Sequence, residues 1–276
     1  MKWEVKALWC LMASVAVGLV ALASAAGAAE PGAVRRIGAL IPPIASQEDG
    51  LRQGLRDLGY IEGRNVVIEW RRWRTSSTKE ELEALAADVA RSKVELIVTS
   101  GTPAALAAAR ATTIPVVFLS ADPVGTGLVE SLSKPGRNST GIALLGSELT
   151  AKRLELLKLL APRARRIAYF TNSSNPLAVP LLNAARHAAR VLGLQLVVFE
   201  ARNAAEIDAA FRAIAVSRPG GILLAADFVF VEHKEKIATG VLAARLPAMS
   251  PVKEMGLVMS YGPDVRDAIR RTAPYV

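Results

Sequence analysis

Short clusters of hydroxyl, amide and carboxylate residues follow the buried apolar runs of this 276-residue sequence. The clusters read "IPPIASQ", "SGTP", "SADP", "TNSSNP", "AADF" and "SYGP". In open parallel sheets, ligands bind outside the carboxyl ends of the strands, where helix N-termini point. Every cluster contains at least one side chain that can form hydrogen bonds, and none contains a histidine, cysteine or lysine. The pattern therefore indicates a site that holds a molecule without changing it.

The sharpest cluster is "SGTP", residues 100–103. Thr102 is predicted to cap a helix that begins at Pro103, while Ser100 and Gly101 leave backbone N–H groups open to an anion. A carboxylate held there gains about 0.3–1 kcal/mol from the helix dipole at the surface, and about 2 kcal/mol in a partly buried site. The alternative is an ordinary capping motif without a ligand.

The cluster "TNSSNP" repeats this logic later in the chain, with Ser174 or Asn175 predicted to cap a helix entered through Pro176. By itself it also fits a simple cap. Two such clusters at equivalent strand ends favour a shared cleft.

Two carboxylates and two aromatic rings complete the predicted site. Asp122 and Asp227 follow strands and could accept hydrogen bonds from a ligand ammonium group, although a single aspartate after a strand is commonly a turn former. Tyr261 and Phe228 could form an aromatic wall, with a core position as the alternative for Phe228.

Catalytic and cofactor motifs are missing from the sequence. His187 and His233 lie in helical patterns without metal-ligand spacing, so we expect no metal and no cofactor. The sequence "GTGLVESLSKPG" lacks the Gly-Lys-Ser/Thr of a phosphate-binding loop, because Lys134 precedes proline. A binding protein is a simpler interpretation than an enzyme.

Apolar strands and amphipathic helices alternate twice along the chain, which predicts an α/β fold with two doubly wound parallel-sheet lobes joined by a hinge. The first run contains "RRIGALI", "NVVIEW", "VELIVTS" and "IPVVFLS" as strands; the second contains "RRIAYFTN", "LQLVVFEA", "GGILLAAD", "LPAMSP" and "GLVMSYGPD". The Gly- and Pro-rich segment 122–140 between them is predicted to leave the first lobe. "VRDAIRRTAPYV" begins a last helix that contains Pro274.

Residues 1–29 are predicted to be a secretory signal peptide, because two lysines precede an apolar segment and "ASAAGAAE" offers cleavage after Ala25 or Ala29. An uncleaved membrane anchor is the alternative, since the apolar run approaches the about 20 residues that span a bilayer. The single cysteine, Cys10, lies in this segment, so the mature chain would have no disulfide.

The formal net charge is +9, but the arginines are spread along the chain and aromatic residues make up only 5%. Without a recognisable nucleic-acid motif, we expect no nucleic-acid partner.

Four long motifs together resemble one family, the substrate-binding proteins of ABC transporters that include tryptophan- and tyrosine-binding-like members. The motifs are "LRQGLRDLGYIEGRNVVIEW", "SGTPAALAAARATTIPVVFLSADPVGTGLVESLSKPGRNSTG", "KRLELLKLLAPRARRIA" and "MSYGPD". The resemblance implies a type I periplasmic-binding-protein fold that closes around a small solute and passes it to an inner-membrane permease. It implies an amino acid, aromatic ones included, or another small carboxylate as the solute.

The resemblance also implies where the lobes and the ligand-binding residues lie. The N-terminal lobe spans 30–145, with 260–276 returning to it, and the C-terminal lobe spans 146–259. The implied ligand-binding residues are Ser100, Gly101, Thr102, Ala121, Asp122, Pro123, Asn172, Ser173, Asn175, Asp227, Tyr261 and Gly262.

Two features depart from the family pattern. The loop "IPPIASQEDG" is shorter than usual, which puts contacts from Ser46 or Gln47 in doubt. The chain stops at "RRTAPYV", where members typically continue for some tens of residues, so a truncated or frameshifted reading frame is an expectation.

The leading hypothesis is thus a monomeric periplasmic solute-binding protein that performs no chemistry. The alternatives are a bilobed sensor for a chemoreceptor or kinase, and a secreted α/β enzyme. A lac-repressor-type regulator shares the implied fold but should carry an N-terminal helix-turn-helix, where this sequence has the predicted signal peptide.

Overall fold

A computed structural model describes residues 34–257 and 259–276 of the protein. The predicted signal peptide, its cleavage positions, the anchor alternative and Cys10 lie outside the described residues. Within the described ranges, no helix has the length and apolar character needed to cross a membrane.

The first half of the described chain forms a five-stranded sheet covered by helices. Its strands are β1 (Arg35–Ile41), β2 (Val66–Arg72), β3 (Leu96–Ser100), β4 (Val116–Ser120) and β5 (Ser139–Ala143), in the order β2-β1-β3-β4-β5. The pairs β1–β3, β3–β4 and β4–β5 are parallel. Every residue of β3 and β4 is buried, as expected for continuous apolar strands covered on both faces.

Three helices connect these strands: α1 (Ala45–Asp57), α2 (Lys79–Arg91) and α3 (Thr102–Ala111). Helix α2 begins with a capping box, in which Thr78 Oγ1 accepts a hydrogen bond from the Glu81 amide and Glu81 Oε2 accepts one from the Thr78 amide. Such a cap contributes about 1 kcal/mol.

Strand β5 was not predicted from the sequence. Residues 139–143 add a fifth strand at the sheet edge. The apolar signal was weak because the strand sequence "STGIA" contains a glycine and two hydroxyl residues. Gly141 is needed there, since a Cβ atom would collide with the carbonyl oxygen of Phe118 on β4.

The second half forms another five-stranded parallel sheet. Its strands are β6 (Arg166–Thr171), β7 (Gln195–Glu200), β8 (Ile222–Leu224), β9 (Ala248–Ser250) and β10 (Met259–Ser260), in the order β10-β9-β8-β6-β7. Its helices are α4 (Gly146–Leu160), α5 (Ala178–Val191), α6 (Ala204–Ser217), α7 (Phe228–Glu232) and α8 (Lys234–Ala244). Tyr169, Phe170 and Phe230 are the largest fully buried side chains of its core.

The end of the chain differs from the expectation in length. Among the described residues of the predicted run, only Met259 and Ser260 form strand β10, and Gly256, with φ 63°, ends a 3₁₀ turn at Lys253–Met255. Helix α9 (Val265–Arg270) ends before Pro274, which lies in a separate 3₁₀ turn, Ala273–Tyr275, rather than inside the helix.

Helix α9 packs against α1 on the first sheet. Two glycines of α1 allow this approach, because a Cβ atom at Gly50 would lie 2.6 Å from the Arg266 carbonyl oxygen, and one at Gly54 would collide with that of Arg270. Arg270 and Asp57 form an ion pair of 3.0 Å beside the contact.

Candidate functional site

Two adjoining cavities lie where the carboxyl ends of β3 and β4 face the segments that follow β6 and β8. We name them the inner cavity, of about 80 Å³, and the outer cavity, of about 290 Å³. The inner cavity is lined by Ser100, Gly101, Thr102, Pro103, Leu119, Ala121, Leu144, Asn175, Leu177, Ala226, Asp227, Phe228, Val231, Pro251, Val252 and Val265. The outer cavity is lined by Trp73, Thr75, Ser77, Lys79, Leu82, Glu83, Pro103, Leu106, Ala107, Arg110, Thr126, Asn172, Ser174, Asn175, Pro176, Asp227 and Phe228.

The two cavities differ in chemistry. Most residues of the inner cavity are apolar, whereas the outer cavity carries Lys79, Glu83 and Arg110 at one side. Lys79 and Glu83 lie 3.7 Å apart as an ion pair. Both cavities share Pro103, Asn175, Asp227 and Phe228, so one molecule can contact an apolar surface and a polar surface together.

On the first-sheet side, buried hydrogen bonds fix the hydroxyl groups of "SGTP". Ser100 Oγ donates to Gln47 Oε1 at 2.7 Å, and Thr102 Oγ1 lies 2.7 Å from Ser120 Oγ on β4. The loop after β1 therefore brings Gln47 beneath the site. These bonds hold the strand ends in one arrangement.

The structure corrects the predicted capping geometry of this segment. Helix α3 begins at Thr102 itself, and its N-cap is Gly101, which has no side chain with which to cap it. The Thr102 hydroxyl pairs with Ser120 instead. Gly101 has φ 97°, a conformation that glycine adopts without steric cost. Its N–H donates to the Leu119 carbonyl at 2.9 Å. The prediction that this N–H is open to an anion is therefore wrong.

On the second-sheet side, Asp227 is the centre of a hydrogen-bonded cluster. Its Oδ1 accepts from the Val229 amide at 2.8 Å and so caps α7, while Oδ2 accepts from Asn175 Nδ2 at 2.7 Å and Asn172 Nδ2 at 3.1 Å. Burial raises the pKa of the Asp227 carboxyl, and these three hydrogen bonds oppose that rise. The cluster fixes a carboxylate in the wall common to both cavities.

The turn "TNSSNP" shapes this cluster rather than capping α5. Helix α5 begins at Ala178, with Leu177 as its N-cap and no side-chain cap. Asn175 Oδ1 accepts from the Leu177 amide at 2.9 Å, and Asn172 Oδ1 accepts from the Ser174 amide at 3.0 Å. Both asparagines thus use their oxygens on the local backbone and their amide groups on Asp227.

An aromatic pair closes the wall between the two sides. The Phe228 ring meets Trp73 edge to face, with ring centroids 5.5 Å apart and an interplanar angle of 76°. Trp73 is buried, and its Nε1 donates to the Ser100 carbonyl at 3.1 Å. Phe228 is partly buried: it packs against the core of the first sheet and lines both cavities.

Trp73 was missed by the sequence argument. It stands in "EWRRWR", residues 69–74, a charged run that ends β2 and continues two residues beyond it. The only sequence signal was one aromatic residue between two arginines. The apolar residues Leu144, Val252 and Val265 of the inner cavity were also missed, because segments distant in sequence bring them there.

Five predicted site residues lie outside the lining of both cavities: Asp122, Pro123, Ser173, Tyr261 and Gly262. Asp122 accepts from the Gly125 amide at 2.8 Å and from Ser147 Oγ at 2.6 Å, so it forms a turn and ties that turn to α4. The Ser173 amide donates to Glu200 Oε2 at 3.1 Å.

Tyr261 and Gly262 lie on the segment that leaves β10 toward α9, beside a buried arginine. Arg153 of α4 is only 2% exposed, and its Nε donates to the Tyr261 carbonyl at 2.7 Å. Burial lowers the pKa of the Arg153 guanidinium to about 10. Gly262 cannot carry a Cβ atom, because that atom would collide with the Pro251 carbonyl oxygen.

Within the described ranges, no group of three or more His, Cys, Asp or Glu side chains could hold a metal ion. His187 lies exposed on α5, and His233 lies at the junction of α7 and α8. The residues around the two cavities are suited to hydrogen bonding, to charge pairing at Asp227, and to apolar contact.

Two parallel sheets, each built from alternating strands and helices and linked by the segments after β5 and β10, define the type I periplasmic-binding-protein fold. The predicted α/β fold class is therefore confirmed. The chain belongs to the ABC transporter substrate binding protein family, whose model matches residues 41–276. This family is a class of solute-binding proteins and not a class of enzymes.

Three relatives illustrate the likeness. A crystal structure of a conserved domain protein from Vibrio cholerae is 26% identical, with a TM-score of 0.81, covering 88% of this chain and 83% of that chain. The structure of an ABC domain from Streptococcus pneumoniae in complex with L-Trp is 23% identical, with a TM-score of 0.77, covering 87% and 83%. A tyrosine-binding protein of Clostridioides difficile is 35% identical over 135 residues, which are 48% of this chain and only 38% of that relative.

Proposed function

We propose that the protein is the periplasmic solute-binding component of an ABC importer, acting as a monomer that delivers its solute to an inner-membrane permease. The solute is a small molecule, either an amino acid, with the aromatic amino acids included, or another small carboxylate. The observation that carries this proposal is the position of Asp227, fixed in the wall shared by the inner and outer cavities.

Asp227 suits a ligand that carries an ammonium group. Its carboxylate is partly desolvated, and hydrogen bonds to charged groups contribute about 1.5–3 kcal/mol each. The apolar residues of the inner cavity suit the side chain of an amino acid, at about 25 cal/mol per Å² of buried apolar surface. Two or three polar contacts and this burial support a micromolar dissociation constant, about −8 kcal/mol.

The relatives support the solute class. The pneumococcal structure contains L-Trp, and the clostridial relative is a tyrosine-binding protein. The binding experiments described below identify the solute of this chain.

Transport by such a protein requires that the closed arrangement bind the solute better than the open one, because a ligand shifts a conformational equilibrium only by its differential affinity. Residues from both sheets line each cavity. A solute that contacts both sides at once therefore stabilises closure.

The first experiment is a thermal-shift screen of the purified protein against amino acids and small carboxylates. A solute at about 100 times its dissociation constant stabilises the folded state by about 2.7 kcal/mol. In a protein of this size the midpoint then rises by about 5–10 °C. A folded protein that responds to no solute in a broad library would contradict the proposal.

The second experiment locates the site with matched variants. Asp227→Asn is expected to weaken binding of an ammonium-bearing solute by about tenfold or more, whereas Asp122→Asn, outside both cavities, should change affinity by less than about threefold. Isothermal titration measures both. Equal effects of the two substitutions would sink the assignment of Asp227.

A further inference from the structure

Helix α7, from the second-sheet side, contacts the segment after β2 at two points. Phe228 packs edge to face on Trp73, and Thr75 Oγ1 donates a hydrogen bond to Glu232 Oε2. Residues 228 and 232 are four apart on one helix, so both contacts lie on the same helix face. The residues that they contact, Trp73 and Thr75, both lie on the short segment that follows β2.

The two contacts have different relations to the cavities. Phe228 lines both cavities and Trp73 lines the outer one, whereas Glu232 lines neither. Trp73 is in turn held by its hydrogen bond to the Ser100 carbonyl. Thr75, the hydrogen-bond partner of Glu232, lines the outer cavity but not the inner one. A change at Glu232 therefore reaches the inner cavity only through the placement of α7.

We propose that Glu232 is a positioning residue of the solute site, whose hydrogen bond to Thr75 docks α7 so that Phe228 closes on Trp73. This inference rests on the proposed function. Both contacts join protein groups directly, so they favour the closed arrangement by the same amount for every solute.

The apparent dissociation constant equals the intrinsic one divided by the fraction of protein in the binding-competent state. Loss of the Thr75–Glu232 bond lowers that fraction. Affinity for all solutes bound in the inner cavity, which Thr75 does not line, then falls by one common factor, and the order of preference among them stays the same. A residue that touches the solute would instead change that order.

The first test needs no solute. The protein is labelled with 5-fluorotryptophan, and the ¹⁹F resonance of Trp73 is identified by its loss in Trp73→Phe. Phe228→Leu gives the resonance position without the neighbouring aromatic ring. In Glu232→Ala the Trp73 resonance should move toward that position, while the Trp70 resonance stays in place. Glu235→Ala, an exposed glutamate at the start of α8, serves as the control and should leave both unchanged.

The second test measures dissociation constants for several solutes found by thermal shift. Glu232→Ala should raise all of them by one factor of about threefold to tenfold, the range expected for one hydrogen bond. Glu232→Gln keeps an acceptor oxygen for Thr75 and should restore most of the affinity. Glu235→Ala should match the wild type.

Each outcome has a defined meaning. An unchanged ¹⁹F spectrum in Glu232→Ala overturns the docking role, as do unchanged dissociation constants or a changed order of solute preference. If the wild type binds no solute, the proposed function fails and the role of Glu232 in binding fails with it, while the ¹⁹F result still decides whether Glu232 docks α7.

Discussion

Asn175 Nδ2 donates a 2.7 Å hydrogen bond to Asp227 Oδ2 and thereby joins the turn after β6 to the helix cap after β8. Strands β6 and β8 are neighbours in the second sheet, although they are separated in sequence by β7 and two helices. The bond consequently fixes the Asp227 carboxylate through the sheet order and not through a local motif.

The raised pKa of Asp227 gives the folding stability a pH dependence. A carboxyl whose folded-state pKa is raised favours the folded state most below its unfolded pKa, and this contribution is lost as pH rises through the folded pKa. The free energy of unfolding of the wild type, minus that of Asp227→Asn, should therefore decrease from acid to neutral pH. Urea unfolding at several pH values measures this difference, and a difference that increases with pH would contradict the burial of this carboxyl.

Gly101→Ala is expected to lower the free energy of unfolding by about 2–5 kcal/mol, from backbone strain and from overpacking. The added Cβ atom would lie 2.7 Å from Trp73 Cζ2 and 2.9 Å from Phe228 Cε2, at a φ of 97°. Gly63→Ala is the matched control, because Gly63 has φ 82° with nothing within 4 Å, and it should cost about 1–2 kcal/mol. Equal losses in urea unfolding would show that crowding at the aromatic pair contributes nothing.

Arg153→Lys is expected to cost about 1–3 kcal/mol of stability, because an ammonium group is more strongly hydrated than a guanidinium and loses more on burial. The pKa of a lysine at this buried position falls on folding, so the unfolded state binds more protons and stability rises with pH. The variant should therefore regain stability between pH 7 and 9. Arg153 should contribute little pH dependence to the stability of the wild type between pH 7 and 9, since the pKa of its guanidinium is about 10. A variant with no pH-dependent recovery in calorimetry would disagree with this reasoning.

Gly54→Ala should destabilise the protein by about 1–3 kcal/mol through overpacking, although alanine in a helix is usually better than glycine by about 1 kcal/mol. The new Cβ atom would meet the Arg270 carbonyl oxygen and lie 2.9 Å from Ala273 Cβ. Arg56→Ala, on the exposed face of α1, should stay within about 0.5 kcal/mol of the wild type. Thermal melts of the two variants separate the docking of α9 from the intrinsic preference of α1, and a stabilised Gly54→Ala would argue against that docking.

The sequence predicted those elements whose signals are local. Continuous apolar runs identified β3 and β4. Strand β5 escaped because its pairing with β4, and not its own composition, makes it a strand. Strand β10 was overestimated because Gly256, the first residue of the predicted run, ends the preceding 3₁₀ turn with φ 63°.

The site followed the same division. The strand ends of "SGTP" and the carboxylate of Asp227 were predicted, because parallel strands bring their carboxyl ends to one edge. The position of Trp73 and the asparagine contacts of Asp227 depend on how separate segments meet. A helix-capping rule uses only residues that are neighbours in sequence and therefore cannot predict them. The rule also placed the cap at Thr102, since it could not anticipate the buried bond to Ser120.

The packing of α9 on α1 has a consequence for the order of folding. Asp57 and Arg270, which pair beside that contact, are 213 residues apart in the chain. A ribosome must therefore make all of the second sheet before the helical cover of the first sheet is complete, and the entropy lost in closing so long a loop falls late in the reaction. The second sheet is built from one continuous stretch of the chain. It can therefore assemble while the first sheet still lacks its contact with α9. The first sheet, whose strands are synthesised before those of the second, is thus among the last parts of the protein to reach its final packing.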